Sequence, residues 1–506
     1  MKKRKKYEML GICGGAFFYV FFLLIVTGTI RSGFHLVDDH EIILMADRFR
    51  TGTYSWRTFF RVGLFDYFAE GLRFRPLYET LRLIRVYVFG TNFTAWSVWV
   101  GMEIAGSIIL AYYIARKMGS GVLLAALAAV FIVSGEQSEI WWRLGPQEPT
   151  GLLLCLACMF FIQKYEKRPD LLKRILIILL AFFMAAAKES YTILLPSLLL
   201  FGIGFDFWIS DYKTIKEGMK YSISKNKWFI IFMMINLFVN LYAIIFKVGV
   251  LSIEYAGIDV EQGIIGYIGM LKNMLLGKNM QIYLILLFFC IAGAVGSSIY
   301  RKIDWQEYLK KNGILLLSFL TITGVEIVLY AKSGMYGRYF VPFTVGFSFL
   351  FIAFITKGFV KYVKNIFIVL MFLAVAYLYT GIWSNAEYFN EQGEQLAEGL
   401  EIIESTFDPE QEIITCMDMG GELDYSITQY LRIELGMKNI CTWNTEKGFY
   451  SPYGENEKVI NSFMQADCLI VSKDKNIKEF GLNEDNFKFL QHNEYGNIYQ
   501  KVDDLL

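Results

Sequence analysis

Apolar runs of roughly 20 residues recur along most of this chain, from the stretch ending at Ile30 to the one ending near Trp383. Runs of that length match the hydrocarbon thickness of a bilayer. Because hydrocarbon offers backbone groups no partner, such runs fold as helices. With 55% hydrophobic residues and a mean hydropathy of +0.40, the chain is out of range for a soluble domain and reads as a polytopic integral membrane protein. The net charge of +1 is uninformative, because topology segregates the charges and the sum hides it.

Hydropathy places about eleven spans, near 8–30, 93–115, 120–135, 148–163, 174–190, 191–210, 228–247, 279–299, 313–331, 339–357 and 365–384. The basic start, Lys2 to Lys6, precedes an apolar run too long for a signal-peptide core and without a convincing small-residue cleavage site, so the first span is expected to be retained with its N-terminus in the cytoplasm. Arg116-Lys117, Lys164 to Arg174, Lys213 to Lys227, Arg301 to Lys311 and Lys357 to Lys364 then all fall inside, as the positive-inside rule requires. The long first loop, 31–92, the loop from Glu136 to Pro149, the Lys188 turn, 248–278, Ala331 to Tyr339 and everything after Trp383 fall outside. Residues 1–384 are therefore expected to form the membrane domain and 385–506 a small extracytoplasmic α/β domain, with strands near 412–417, 439–443 and 467–471 and a helix near 426–435. No internal repeat or pair of inverted halves is evident, which weakens a transporter reading.

The seven cysteines supply no metal or disulfide framework. Cys13, Cys155, Cys158 and Cys290 lie in apolar spans, and Cys416, Cys441 and Cys468 allow at most one bridge.

Chemistry concentrates on the outer side. In the first loop Asp38 and Asp39 are framed by His35 and His40, two of the three histidines in the chain, and Glu41 follows. A carboxylate there is suited to accept a proton from an attacking alcohol, so Asp38 or Asp39 is the candidate base, although either also suits a solvated helix flank. Arg73 and Arg75, with Pro76 and Tyr78 beside them, offer the forked donors that suit phosphate, although interfacial arginines also snorkel toward headgroups. Lys188-Glu189 interrupts an apolar stretch, where an ionisable pair needs a polar cavity or a partner. Lys332, Tyr336, Arg338 and Tyr339 add another cation on that side. Glu136, Glu139, Trp142 and Arg143 form a loop of charges and indoles of the kind that meets sugars, with an aromatic belt as the competing account of Trp141 and Trp142.

These residues resemble the GT-C glycosyltransferases, membrane enzymes that take sugars from polyprenyl-phosphate carriers, including protein O-mannosyltransferases and the aminoarabinose transferases of lipid A. The carriers of the likeness are Asp38-Asp39 after the first helix, Arg75-Pro76-Leu77 before the second, Lys188-Glu189 in a later loop, and Arg338-Tyr339 followed by Pro342. The resemblance implies an all-α polytopic GT-C-like fold and inverting transfer, with Asp38 or Asp39 deprotonating the acceptor. It also implies that Arg75, Lys188 and Arg338 stabilise the phosphate leaving group, and Arg73 and Tyr339 beside them are further candidate contacts to the lipid phosphate. His40, Glu41, Glu136, Glu139, Trp142, Arg143 and Glu189 are the candidate substrate contacts. The expected partners are a polyprenyl-phosphate sugar, a glycan, lipid or protein acceptor and the membrane, with no nucleic acid. No cofactor is expected, one histidine beside acids being a weak signal for a divalent metal. A flippase or transporter of polyprenyl-linked glycan, or a non-catalytic envelope assembly protein, is the rival class. Against a flippase stand the long first loop and the soluble tail, and an assembly protein would not require the clustered cations.

Overall fold

The structure, a computed structural model, describes residues 2–61, 74–164, 171–210, 212, 214–248, 252–253, 256–257, 263–301, 305–330, 337–417, 422–445, 447–451, 460–492 and 495–502. Helices dominate: α1 (Lys2–Val26), α2 (His40–Arg50), α3 (Pro76–Phe89), α4 (Phe93–Lys117), α5 (Val122–Val133), α6 (Glu148–Gln163), α7 (Leu171–Ala187), α8 (Leu195–Ile209), α9 (Ile215–Tyr242), α10 (Gly263–Leu276), α11 (Lys278–Arg301), α12 (Trp305–Tyr330), α13 (Val341–Ala353), α14 (Lys361–Thr406) and α15 (Glu422–Ile433). Among the described residues eight helical segments are long and apolar enough to cross a membrane, and the expected spans coincide with helices throughout. The protein is thus a multi-pass, all-α membrane protein carrying a small C-terminal sheet.

Charge sorts the bundle into two ends. At one, Arg116 pairs with Glu8 at 2.7 Å, the Trp208 indole donates to the Met118 carbonyl, Lys225 reaches Asp206 and Lys357 caps the Trp208 carbonyl. At the other lie the segment before α2, the start of α3, the 3₁₀ turn Glu136–Trp141, the turn Glu189–Thr192 and the 3₁₀ turn Gly337–Phe340. Prolines in the first turns of α3, α6, α8 and α13 explain why helices begin there: proline has no N–H to orphan and its fixed φ suits a helix start.

Two helices depart from what hydropathy alone implies. Helix α3 lies within the stretch expected to be loop, and it is turned inside out relative to a soluble helix: Glu79, Arg82 and Arg85 are buried while Ile84, Tyr87 and Val88 are exposed. That orientation suits a helix whose outer face meets lipid and whose charges pair inward. Helix α14 runs for 46 residues, roughly 69 Å at 1.5 Å per residue, about twice the hydrocarbon thickness. The compositional change near 384 falls inside it, marking where the helix leaves apolar surroundings rather than where it ends. Beyond that point Ala386, Phe389, Gly393, Leu396, Gly399 and Ile403 keep a buried stripe at helical spacing, and the acids take the other faces.

The end of that stripe, Leu396 to Ile403, packs on the C-terminal domain, a six-stranded sheet of β1 (Glu412–Cys416), β2 (Asn439–Asn444), β3 (Gly448–Tyr450), β4 (Cys468–Val471), β5 (Phe487–His492) and β6 (Asn497–Lys501) in the order β3-β2-β1-β4-β6-β5. Strand β1 is parallel to β2 and β4, with Ile414 opposite Cys441 on one side and Leu469 on the other; the outer pairings are antiparallel. Helix α15 covers one face and buries Ile427, Tyr430 and Leu431 with Leu36 and Ile43 of the membrane domain in one core. All seven cysteines are free.

Candidate active site

Asp38 adopts φ +70°, the one left-handed residue other than glycine among the described residues. Aspartate tolerates that region better than most, at a cost of about 1–2 kcal/mol, and such strain persists only where the surroundings over-determine it. Here they do. The Asp38 side chain lies against Gly145, where an added Cβ would come within 2.2 Å of the Asp38 Cβ, and the Gly145 carbonyl accepts a hydrogen bond from the Tyr78 hydroxyl.

The Asp38 carboxylate, 35% exposed, accepts hydrogen bonds from Arg143 Nη2 at 2.6 Å and Arg338 Nη1 at 3.3 Å. Burial alone would favour its protonated form, but the Arg143 and Arg338 guanidiniums outweigh that and hold its carboxyl below the ordinary aspartate range. Arg143 also donates to Glu139 at 2.7 Å. Glu139 in turn packs on Gly337, whose φ of +51° and lack of a side chain leave room for that carboxylate, and Glu136 accepts from the Gly337 backbone N–H.

A second group adjoins the first through Tyr339. Arg338 lies over the Tyr339 ring at 5.6 Å, Tyr339 stacks on Tyr330 at 3.9 Å between centroids, and Lys188 sits 5.1 Å from the Tyr339 centroid. Lys188 is buried and donates to Glu148 at 2.6 Å. The next residue, Glu189, accepts from Arg75 Nε at 2.7 Å and from the Phe74 backbone N–H at 3.2 Å. The N-terminal ends of α3, α6 and α13 all open on this region, and their dipoles add positive potential where the cations already stand.

The fold therefore gathers Asp38, Glu136, Glu139, Arg143, Arg338 and Tyr339 in one cluster and Arg75, Lys188 and Glu189 beside it. Asp39 faces away from this cluster: it is fully buried, and one carboxylate oxygen accepts from both the His35 backbone N–H and His35 Nδ1, each at 3.0 Å. His40 is buried against the C-terminal domain, with Nδ1 3.0 Å from both the Leu36 carbonyl and Ser426 Oγ, and burial holds its imidazole below the ordinary histidine range. Glu41 pairs with Arg82. Trp142 is buried with Tyr19, Leu23 and Ile382 around a small apolar cavity, and Trp141 donates to the Val133 carbonyl; neither indole lies open to a sugar or forms a belt. Arg73, Lys332 and Tyr336 lie outside the described residues. Among the described residues no group of three or more His, Cys, Asp or Glu is placed to hold a metal ion.

Several participants escaped the sequence reading. Glu148, within the loop expected from Glu136 to Pro149 but not singled out there, is the partner of Lys188. Arg82 and Arg85 hold α3 in place through Glu41 on α2 and, at 2.6 Å, Glu103 on α4. Glu326, buried near the C-terminal end of α12, faces the Lys188 pair. An acid alone in an apolar span was the available signal for Glu103 and Glu326.

No family model matches the chain, and no curated protein matches it. Among solved structures, ArnT from Cupriavidus metallidurans bound to undecaprenyl phosphate is similar over 96% of this chain and 97% of its own length, at 11% identity and a TM-score of 0.51. The Archaeoglobus fulgidus oligosaccharyltransferase in its apo form (11% identity, TM-score 0.48) aligns with 87% of this chain. Archaeal oligosaccharyltransferase AglB from the same organism, in complex with an inhibitory peptide and a dolichol-phosphate (13%, 0.48), aligns with 86%. The chain spans 65% and 64% of the lengths of those two proteins. At such identity the likeness to ArnT shows the fold alone: the chain shares the architecture of that structure.

Proposed function

We propose that the protein is a glycosyltransferase that moves a sugar from a polyprenyl-phosphate carrier to a glycan, lipid or protein of the cell envelope, on the extracytoplasmic face and with inversion. The observation that carries this is Asp38: a partly exposed carboxylate kept ionised by two guanidiniums and held in a strained backbone conformation at the end of the bundle opposite the basic loops. The basic end supports a cytoplasmic face by the positive-inside rule, which sets the Asp38 end and the C-terminal domain outside. The undecaprenyl phosphate bound to ArnT supports the carrier class.

In this reading Asp38 accepts the proton of the acceptor hydroxyl or amine as that atom attacks the anomeric carbon from the face opposite the phosphate. The bond from the anomeric carbon to the phosphate oxygen breaks, and the polyprenyl phosphate departs with the electron pair. Negative charge grows on that oxygen, and Arg338, Arg75 and Lys188 are the groups placed to stabilise it. Each now holds a carboxylate, Asp38, Glu189 and Glu148 respectively, so an entering phosphate exchanges with anions already in place. Asp38 is preferred to Asp39 as base because Asp39 is buried and bound to His35. Glu136, Glu139 and Arg143 border the space where the sugar would lie. The test is release of polyprenyl phosphate from a panel of polyprenyl-phosphate sugars by the purified protein. Acceptor-dependent release that Asp38→Asn and Arg338→Ala each abolish is the expected result; carrier binding without release in every acceptor mixture refutes it.

A further inference from the structure

The C-terminal domain meets the membrane domain at the segment that carries Asp38. Ser426 and Tyr430, one helical turn apart on α15, are both buried and face residues 35–40. The Ser426 hydroxyl donates to the Leu36 carbonyl, and the Tyr430 hydroxyl donates to the His35 carbonyl at 2.6 Å. The edge of the His40 ring meets Tyr425 at 5.4 Å between centroids. From the other side, His35 Nε2 reaches the Phe389 carbonyl on α14 at 2.9 Å, and Gly393 brings that helix so close to Ser32 that an added Cβ would meet its carbonyl oxygen. Residues 32–40 are thus gripped by α14 and α15 from chain positions more than 350 residues away, while Asp38 alone in the segment turns back toward Gly145 and the arginines.

We propose that Ser426 and Tyr430 are positioning residues: through the His35 and Leu36 carbonyls they hold the strained backbone that presents Asp38 to the acceptor. This rests on the reading of Asp38 as the base. It gives the C-terminal domain a part in the reaction without any group of its own at the reacting atoms. A left-handed aspartate relaxes toward the ordinary region unless its neighbours are fixed, and these two hydroxyls fix the carbonyls two and three residues before it. A displacement on the order of 1 Å is enough to lower turnover by about 100-fold.

The experiment compares the full-length protein with Tyr430→Phe, Ser426→Ala, Asp38→Asn and the double variant Tyr430→Phe/Asp38→Asn, by amide hydrogen exchange and by polyprenyl phosphate release. Both α15 variants are expected to speed exchange at residues 35–41 by about five- to tenfold while α4 to α6 stay unchanged. They should also lower kcat by about 10- to 100-fold at unchanged KM. Because Tyr430 acts through Asp38, the double variant should be no slower than Asp38→Asn. Unchanged exchange at 35–41, or losses that multiply in the double variant, overturn the proposal. Faster exchange at 35–41 together with full activity of Asp38→Asn instead overturns the role of Asp38 as base and leaves the grip of α15 standing.

Discussion

Replacing Asp38 by asparagine separates chemistry from folding, and its two effects differ in size. The amide keeps the shape, tolerates the left-handed backbone as well as aspartate does, and can still accept from Arg143 Nη2 at 2.6 Å. What it loses is charge. A hydrogen bond to a charged group contributes about 1.5–3 kcal/mol against about 0.5–1.5 for a neutral pair, so the bonds to Arg143 and Arg338 weaken by about 1 kcal/mol each before screening. With the carboxylate 35% exposed, solvent reduces the sum to about 1 kcal/mol of stability. A general base contributes about 10²- to 10⁴-fold to rate, or about 3–5 kcal/mol of barrier. Turnover in the polyprenyl phosphate release assay should therefore fall by two to four decades, roughly, while melting temperature hardly moves. The wild-type pH profile carries the same signature. With its carboxyl held below the ordinary aspartate range by Arg143 and Arg338, Asp38 stays ionised as pH falls through that ordinary range, and activity disappears only below it. Asp38→Asn turnover within about threefold of wild type, against the expected loss of at least 100-fold, refutes the assignment. Loss of carrier binding in step with turnover refutes it equally.

Lys188→Met leaves Glu148 buried without its cation and should destabilise the protein by about 3–5 kcal/mol, read as a fall in melting temperature that adding Glu148→Gln largely reverses. Gly145→Ala drives a methyl into Asp38 and should reduce turnover more than it reduces carrier binding, measured side by side. His40 titrates lower when folded than its unfolded value near 6.5, so the unfolded chain binds the extra proton first; stability is full above about pH 6.5 and declines as pH falls through that window. Melting temperatures from pH 8 to 5.5 should show that decline in the wild type, and His40→Gln should flatten it.

The fold class was readable because membrane insertion is a property of contiguous sequence: twenty apolar residues have one low-energy arrangement in hydrocarbon whatever the rest of the chain does. Strands β1, β2 and β4 were likewise readable from short apolar runs such as Ile413-Ile414 and Leu469-Ile470, whereas β3, β5 and β6 were not foreseen. Helix α3 was not, because its buried face is charged and its exposed face apolar, a pattern that reads as loop when water is assumed outside. Cations and acids on one side were visible, but which acid serves which cation was not.

By itself, the sequence determined a multi-pass helical membrane protein with a small sheet at its end and a set of acids and arginines in the loops on one side. Only the tertiary structure separated Asp38 from Asp39, since adjacent residues point apart once φ of the first is positive: one toward Arg143 and Arg338, the other into His35. It also joined Lys188 to Glu148 and α15 to the first loop, contacts across 40 and about 390 residues that no local pattern encodes. Hydropathy acts residue by residue along the chain, whereas a charged site exists only where distant segments are brought within about 3 Å of one another.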